Sequence, residues 1–143
     1  MEVFEVVLDT NVLVAAFRSN LGASFRLLQE LETGHWRPVV SPTLVFEYEA
    51  VLKRDVPGAG LEIGDIDDFV DYFCSRSRQV QVRVRRRPFL RDPDDDPILE
   101  VAVTAGVPIV TFNRRDFAGC NRFGVELFSP AEVLRRIGKS GAR

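Results

Sequence analysis

The sequence predicts an α/β fold, a three-layer α/β/α sandwich built on a central, mostly parallel twisted sheet. Short β-branched apolar runs alternate with amphipathic stretches at helical spacing, and no tight hairpin turn joins one run to the next. Strands separated by helices pair in parallel through right-handed crossovers.

Val3, Phe4, Val6, Val7 and Leu8, interrupted only by Glu5, form a run of strand length suited to a central strand covered on both faces. A helix is expected over Ala23 to Glu32, where Phe25, Leu27, Leu28 and Leu31 make an apolar stripe and Gly34 supplies a stop. After a short Val39–Val40 strand, Ser41 reads as an N-cap with Pro42 in the first helical position. That helix continues through Leu44, Val45, Tyr48, Val51 and Leu52 toward Lys53, with Glu47 in its second turn. Pro57, Gly58, Gly60 and Gly64 mark a loop, and Ile66, Phe69, Val70 and Phe73 then define an acidic-faced amphipathic helix. From Val80 the period becomes two: Val80, Val82 and Val84 alternate with Gln81, Arg83 and Arg85, as in a strand near the sheet edge. Asp96-Pro97 repeats the cap-then-proline signal for a helix carrying Ile98, Leu99, Ala102 and Val103 and stopped by Gly106. Strands follow at Val107–Thr111 and Val125–Phe128. Ser129-Pro130-Ala131-Glu132 is a capping box that opens a last helix through Val133, Leu134 and Ile137.

A length of 143 residues accommodates one core, so a single domain over 1–137 is expected, with 138–143 as a flexible tail. The net charge of −2 does not mark a nucleic-acid binder, but the charge is segregated. Acids dominate Glu62 to Asp71 and Asp92 to Asp96, while Arg83, Arg85, Arg86, Arg87 and Arg91 crowd the interval. Cys74 and Cys120 form no CxxC pair and read as reduced structural thiols. No apolar run spans a bilayer, and Glu2 and Glu5 stand where a signal peptide carries positive charge, so a cytoplasmic protein without membrane contact is expected. Gly138-Lys139-Ser140 lacks the glycine five residues earlier that a phosphate-binding loop needs.

Four acids stand at the joints of this pattern: Asp9, Glu47, Asp96 and Asp116. In open parallel sheets ligands bind beyond the carboxyl ends of the strands, and all four are expected on that edge. Carboxylates gathered in one cleft resist ionising together unless a cation lies between them. Oxygen donors without histidine or cysteine suit Mg²⁺ or Mn²⁺ and are poor for Zn²⁺; the lone His35 reads as incidental. Singly, each acid has a simpler explanation: Asp9 and Asp96 as helix caps, Asp116 as a turn former, Glu47 as a solvated helix residue. Glu49, Asp94 and Asp95 read as solvent-facing, and Asp92 as either a turn residue or a support for the site.

At these residues the chain resembles the PIN-domain nucleases, in the branch of VapC-like toxin components of toxin–antitoxin systems. V-V-L-D-T-N-V-L-V-A-A is similar to the first motif of that family, and S-P-T-L-V-F-E-Y-E-A-V-L, with Glu47, to the second. D-P-D-D-D-P-I-L-E-V-A-V, with Asp96, resembles the third, and I-V-T-F-N-R-R-D-F, ending in Asp116, the fourth. Many members carry Asp where this chain has Asn113; the pattern of Asn followed three residues later by Asp also occurs. The resemblance implies a PIN-like fold and an Mg²⁺- or Mn²⁺-dependent endoribonuclease, with RNA as substrate, a separate antitoxin as partner and Asp9, Glu47, Asp96 and Asp116 as catalytic metal ligands for one or two ions. Thr10, Asn11 and Asn113 would orient carboxylates or a substrate phosphate. Basic residues near the acids, Arg114 and Arg115 foremost, would draw in the polyanion. A homodimer is expected from the apolar surface of Leu21, Phe25, Leu28 and the Ile66–Phe73 helix.

Two rival readings differ in class. Haloacid-dehalogenase-like phosphatases also begin with a strand ending in Asp, but their D-x-D motif meets Asp9-Thr10-Asn11 here, and asparagine cannot give and recover the required proton. A catalytically weak or inactive RNA- or protein-binding module of the same fold is the alternative.

Overall fold

The computed structural model describes residues 2–58, 60–82 and 96–140, without the side chains of Asp96, Lys139 and Ser140. The chain runs β1 (Phe4–Leu8), α1 (Thr10–Arg18), α2 (Ala23–Gln29), β2 (Trp36–Val40), α3 (Pro42–Asp55), α4 (Ile63–Ser75) and β3 (Arg78–Gln79). It continues with α5 (Asp96–Ala105), β4 (Ile109–Val110), β5 (Leu127–Phe128) and α6 (Pro130–Ser140). The five strands form one sheet in the order β3-β2-β1-β4-β5, and every pairing is parallel. Helices flank it, giving the expected three-layer α/β/α arrangement: α5 packs on β1, β2 and β4, α1 on α2 and α3, and α2 on α6.

β1 is the central strand, as its composition requires, with Val6, Val7 and Leu8 fully buried. The one acid in that strand, Glu5, faces one arginine of the adjoining strand β2 and one of β3 beyond it: Arg37 reaches it at 3.2 Å and Arg78 makes two bonds at 3.0 Å. These pairs are partly solvated and fix register more than they stabilise. Trp36 opens β2 and ties it to α2 by donating from Nε1 to the Leu27 carbonyl at 2.9 Å, so its buried indole leaves no polar group unsatisfied.

The capping signals at Ser41 and Ser129 hold. Ser41 Oγ accepts from Leu44 N at 3.2 Å, with Pro42 in the first turn of α3. Ser129 Oγ accepts from Glu132 N at 3.1 Å while the Glu132 carboxylate accepts from Ser129 N at 2.7 Å, closing the capping box of α6. Gly106 ends α5 at φ 69°, a conformation that a side chain resists.

Several expected boundaries shift. Helix α1 has no counterpart in the sequence reading, because Val12 and Val14 are β-branched and weak helix formers. Burial of Val12, Leu13, Val14 and Ala16 overrides that preference. Strand β2 starts at Trp36 rather than Val39, although Pro38 cannot donate to a ladder. Phe4 N donates to His35 O, so alternate residues of β2 face β1 and the Pro38 nitrogen points toward β3, whose pairing begins only at Val39↔Arg78. Edge strand β3 lies at Arg78–Gln79, ahead of the start expected at Val80, which donates to Val40 O at 2.8 Å; Arg83, Val84 and Arg85 of the expected strand lie outside the described residues. Strands β4 and β5 are shorter than Val107–Thr111 and Val125–Phe128. Helix α2 stops at Gln29, with a 3-10 turn over Glu30–Thr33. Helix α4 extends over Ile63–Ser75, opened by Asp65 accepting from Glu62 N at 2.8 Å. Helix α6 runs over Pro130–Ser140. Arg83, Arg85, Arg86, Arg87, Arg91, Asp92, Asp94 and Asp95 lie outside the described residues.

Both cysteines are free, and burial raises the pKa of each thiol, which suits the structural role expected of them. Among the described residues no helix is long and apolar enough to cross a membrane.

Candidate active site

The chain lays β2 and β3 to one side of β1 and β4 and β5 to the other, so the β1/β4 boundary is the switch point where open α/β sheets bind ligands. Asp9 emerges there. Its backbone N–H donates to Val110 O at 2.8 Å and its carbonyl accepts from Val12 N at 3.0 Å, so one residue both ends β1 and begins α1. Asp9 has the extended backbone of an N-cap (φ −66°, ψ 146°), yet its side chain makes no capping hydrogen bond. The carboxylate accepts instead from Thr111 Oγ1 at 2.7 Å, across the sheet edge. Thr111 is itself held by donating from N to Phe128 O at 2.9 Å and accepting at Oγ1 from Asn113 N at 2.9 Å. Asp9 thus stands at the N-cap of α1 with its carboxylate held across the sheet edge by Thr111.

Glu47 is brought to the same place by α3. Its neighbour Tyr48 is buried, packs edge-on against Phe73 at 5.8 Å and donates its hydroxyl to Leu8 O, one residue before Asp9. That bond clamps the second turn of α3 to the end of β1. Asp116 sits on a 3-10 turn, Arg114–Phe117, anchored by fully buried Phe117 and capped by Asn113 Oδ1, which accepts from Arg115 N at 3.2 Å.

Asp9, Glu47 and Asp116 line one cleft of about 610 Å³. Thr10, Asn11, Val14, Ala15 and Arg18 of α1 form one wall, and Glu47, Val51, Arg54 and Asp55 of α3 the other. The spacings are helical, 11-14-15-18 on one helix and 47-51-54-55 on the other, so each wall is a single helix face. Helix α5 begins at Asp96, whose side chain lies outside the description.

Asp9 is only 4% exposed. Burial pushes its carboxyl above the usual carboxylate range and the charge of Asp116 adds to the shift, while the Thr111 hydrogen bond and the nearby Thr10 and Asn11 amides oppose it. Tyr48 is raised far above its ordinary value, first by burial and then by the charge of Asp9. Asn11 Oδ1, beside Asp9, is buried without a hydrogen-bond partner among the described residues. These donors are all hard oxygens, the type that Mg²⁺ and Mn²⁺ take. Among the described residues, however, no three carboxyl, imidazole or thiol groups lie close enough to hold an ion by themselves. The donor type fits a divalent ion; the described carboxylates alone do not enclose one.

One sequence expectation takes a different form. Arg114 is a tether: it donates to Glu132 at 2.7 Å and to Leu127 O at 3.1 Å, joining the Asp116 turn to the start of α6. Arg115 is exposed next to Asp116. Sequence reasoning missed Thr111, Arg18 and Arg54. Thr111 follows β4 as Asp9 follows β1, and Leu8↔Val110 places the two side by side. Only the strand register reveals that neighbourhood. Replacing Thr111 with Val should raise the Asp9 pKa, since the bond lost favours the ionised form. The acid limb of any pH–activity profile then moves to higher pH, while Thr111→Ser retains the wild-type limb.

Parallel α/β architecture with an acid-lined cleft at the switch point places the chain in the open-sheet α/β class. Residues 5–115 match the PIN domain family, most of the chain, and the protein belongs to that family. Among solved structures it is similar to a chain of the crystal structure of VapBC2 from Rickettsia felis bound to a DNA fragment from their promoter. The TM-score is 0.60 at 16% identity, covering 88% of this chain and 98% of that one. At that identity the likeness shows the fold. No curated protein matches the chain.

Proposed function

We propose that this protein is a divalent-metal-dependent endoribonuclease that hydrolyses RNA phosphodiester bonds in the cytoplasm as the toxin component of a toxin–antitoxin system. The observation that carries the reading is the convergence of Asp9, Glu47 and Asp116, from three separate elements, on one cleft at the sheet's switch point. Membership of the PIN family supports nuclease chemistry, and likeness to a VapBC2 chain supports a cognate antitoxin.

Asp9, Glu47, Asp96 and Asp116 would hold one or two Mg²⁺ or Mn²⁺ ions, directly or through water. Such an ion supplies a lowered pKa for water and offsets charge on the phosphate under attack. Thr111 orients Asp9, Asn113 sets the turn that presents Asp116, and Thr10, Asn11 and Asp92 support the carboxylates. Arg115 would meet substrate phosphates, whereas Arg114 acts through its tether.

Purified protein should cleave mixed RNAs with Mg²⁺ or Mn²⁺ and not with chelator. Millimolar Mn²⁺ should also raise the melting temperature, because a ligand that binds only the native state adds about 2.7 kcal/mol at a hundredfold excess over Kd. The shift should vanish in an Asp96→Asn, Asp116→Asn double variant. An equal shift in both proteins would place the ion elsewhere.

The spread of the described carboxylates favours a second reading, a binding module without catalysis. Metal binding with no cleavage of any RNA would select it. A homodimer also belongs to the proposal, on narrower grounds than composition indicated. Ile66 and Phe73 enter the monomer's core, and Phe69 packs on Phe17 at 4.9 Å, so exposed Leu21 and half-buried Phe25 and Leu28 carry the expectation, while Phe46, Ile63 and Phe112 are exposed elsewhere. Light scattering at micromolar concentration should give twice the 16.1 kDa chain mass; a monomeric mass with full nuclease activity would remove the dimer.

A further inference from the structure

The cleft is longer than its acids require. From Asn11 to Arg18 on α1, and from Glu47 to Arg54 on α3, is seven residues each, about 10 Å at 1.5 Å per residue. The groove between these faces therefore changes sign along its length, from Asp9, Glu47 and Asp116 at one end to Arg18, Ser19 and Arg54 at the other. Asp55 lies among the arginines. Its carboxylate is committed to Arg54 through bonds at 2.9 and 3.1 Å, and Arg54 first, then Arg18, lowers its pKa. The charge of Asp55 is thus matched by one arginine, leaving the group of three with a net positive charge.

Arg18 differs from Arg54 in how it is held. It is exposed, and its guanidinium donates a single long bond from Nη2, 3.3 Å, to the Asp55 carbonyl. That oxygen is a backbone acceptor and neutralises nothing. A guanidinium offers five donors in a planar fork suited to two phosphate oxygens at once. One weak bond holds Arg18 at the wall of the groove and leaves most of the fork open. An arginine fastened there only to join α1 to α3 would be expected to pair with the Asp55 carboxylate, which Arg54 takes instead.

We propose that Arg18 forms a phosphate subsite for single-stranded RNA, at the far end of the groove from the acids. A strand advances about 3.4 Å per nucleotide when stacked, so 10 Å is about three nucleotide steps. The phosphate bound by Arg18 belongs to the same strand as the phosphate presented to the acids. The subsite contributes binding and register without touching the reacting bond. The groove between two helix faces is assigned one strand, and it meets the backbone by charge rather than through base edges, so it carries no base preference. The inference rests on the nuclease reading for the identity of the polyanion, but its test reads binding rather than cleavage.

The probe is a fluorescein-labelled single-stranded RNA octamer of mixed sequence, titrated with protein in chelator and followed by anisotropy across a range of KCl concentrations. Arg18→Ala should weaken binding roughly tenfold, as for loss of a charge-assisted hydrogen-bonded pair. The slope of log affinity against log salt should become shallower by about 0.7, one phosphate contact on a single strand. Arg18→Lys should recover part of the affinity. Arg26→Ala removes an equal charge from exposed surface on α2 and should change affinity less than twofold. The melting temperature of Arg18→Ala should match wild type, which a purely structural tie would not allow. Equal affinities for Arg18→Ala and Arg26→Ala, or no binding by wild type, would overturn the subsite. RNA cleavage by wild type together with an unchanged Arg18→Ala affinity sinks the subsite alone. Loss of binding in Arg18→Ala with no cleavage by wild type under any metal sinks the nuclease reading alone.

Discussion

Asp9→Asn is expected to abolish metal-dependent RNA cleavage, by a factor of a hundred or more, while leaving the protein folded and at neutral pH no less stable. The substitution keeps size and shape, and its carbonyl oxygen can still accept from Thr111 Oγ1, which now lies 2.7 Å from the carboxylate. What disappears is one negative oxygen donor at the switch point of the sheet. The stability effect follows from the direction of the Asp9 shift. Burial raises its folded-state pKa above the unfolded value, so the native state binds the proton more tightly than the unfolded chain. Ionisation therefore costs stability, increasingly as pH rises from the unfolded value through the raised folded one, and none of the cost remains well below about pH 4, where both states are protonated. The melting temperature of the variant without metal should equal or exceed wild type at pH 7, with the difference shrinking toward pH 3.5. Thermal scans at both pH values and a cleavage assay check the pair. Full turnover by the folded variant would remove Asp9 from the site.

Phe117→Ala should produce the largest loss of stability among single changes near the cleft. Phe117 is fully buried and anchors the 3-10 turn that carries Asp116. Truncating a buried phenylalanine costs about 3–5 kcal/mol, lost transfer energy plus the cavity left behind. For a domain of this size that lowers the melting temperature by about 10–15 °C. The turn would lose its anchor as well, so cleavage per folded molecule should fall at temperatures where the variant is still native. Phe117→Leu, which refills most of the volume, should recover most of both. A change of less than 1 kcal/mol in denaturant titration would show that the turn is held by Asn113 and the Arg114–Glu132 tether rather than by the ring.

The three site acids whose side chains are described were legible because each sits beside a local signal: Asp9 at the end of a β-branched run, Glu47 two turns into a proline-opened helix, and Asp116 on a turn after a short strand. The caps at Ser41 and Ser129 were equally legible, since a capping bond spans three residues and depends on nothing distant. The same dependence on local signals explains the failures. Helix α1 went unread because Val12 and Val14 speak locally for a strand, and only their burial against α2 and α3 decides otherwise. Pro38 argued against the extent of β2 until the pairing showed its nitrogen on the side that needs no donor there.

By itself, then, the sequence determined the layer architecture, the central place of β1, the capped starts of α3 and α6 and the three acids at the joints of strand and helix, all consequences of periodicity and of bonds among near neighbours. Only the tertiary structure decided what those acids meet. Thr111 lies 102 positions from Asp9 and reaches it through the β1/β4 register. Arg18 and Arg54 join the acids through the packing of one helix face against another, and Arg114 turns from the cleft to tether α6. Contacts between residues far apart in the chain are set by strand register and helix packing, which no run of neighbouring residues encodes.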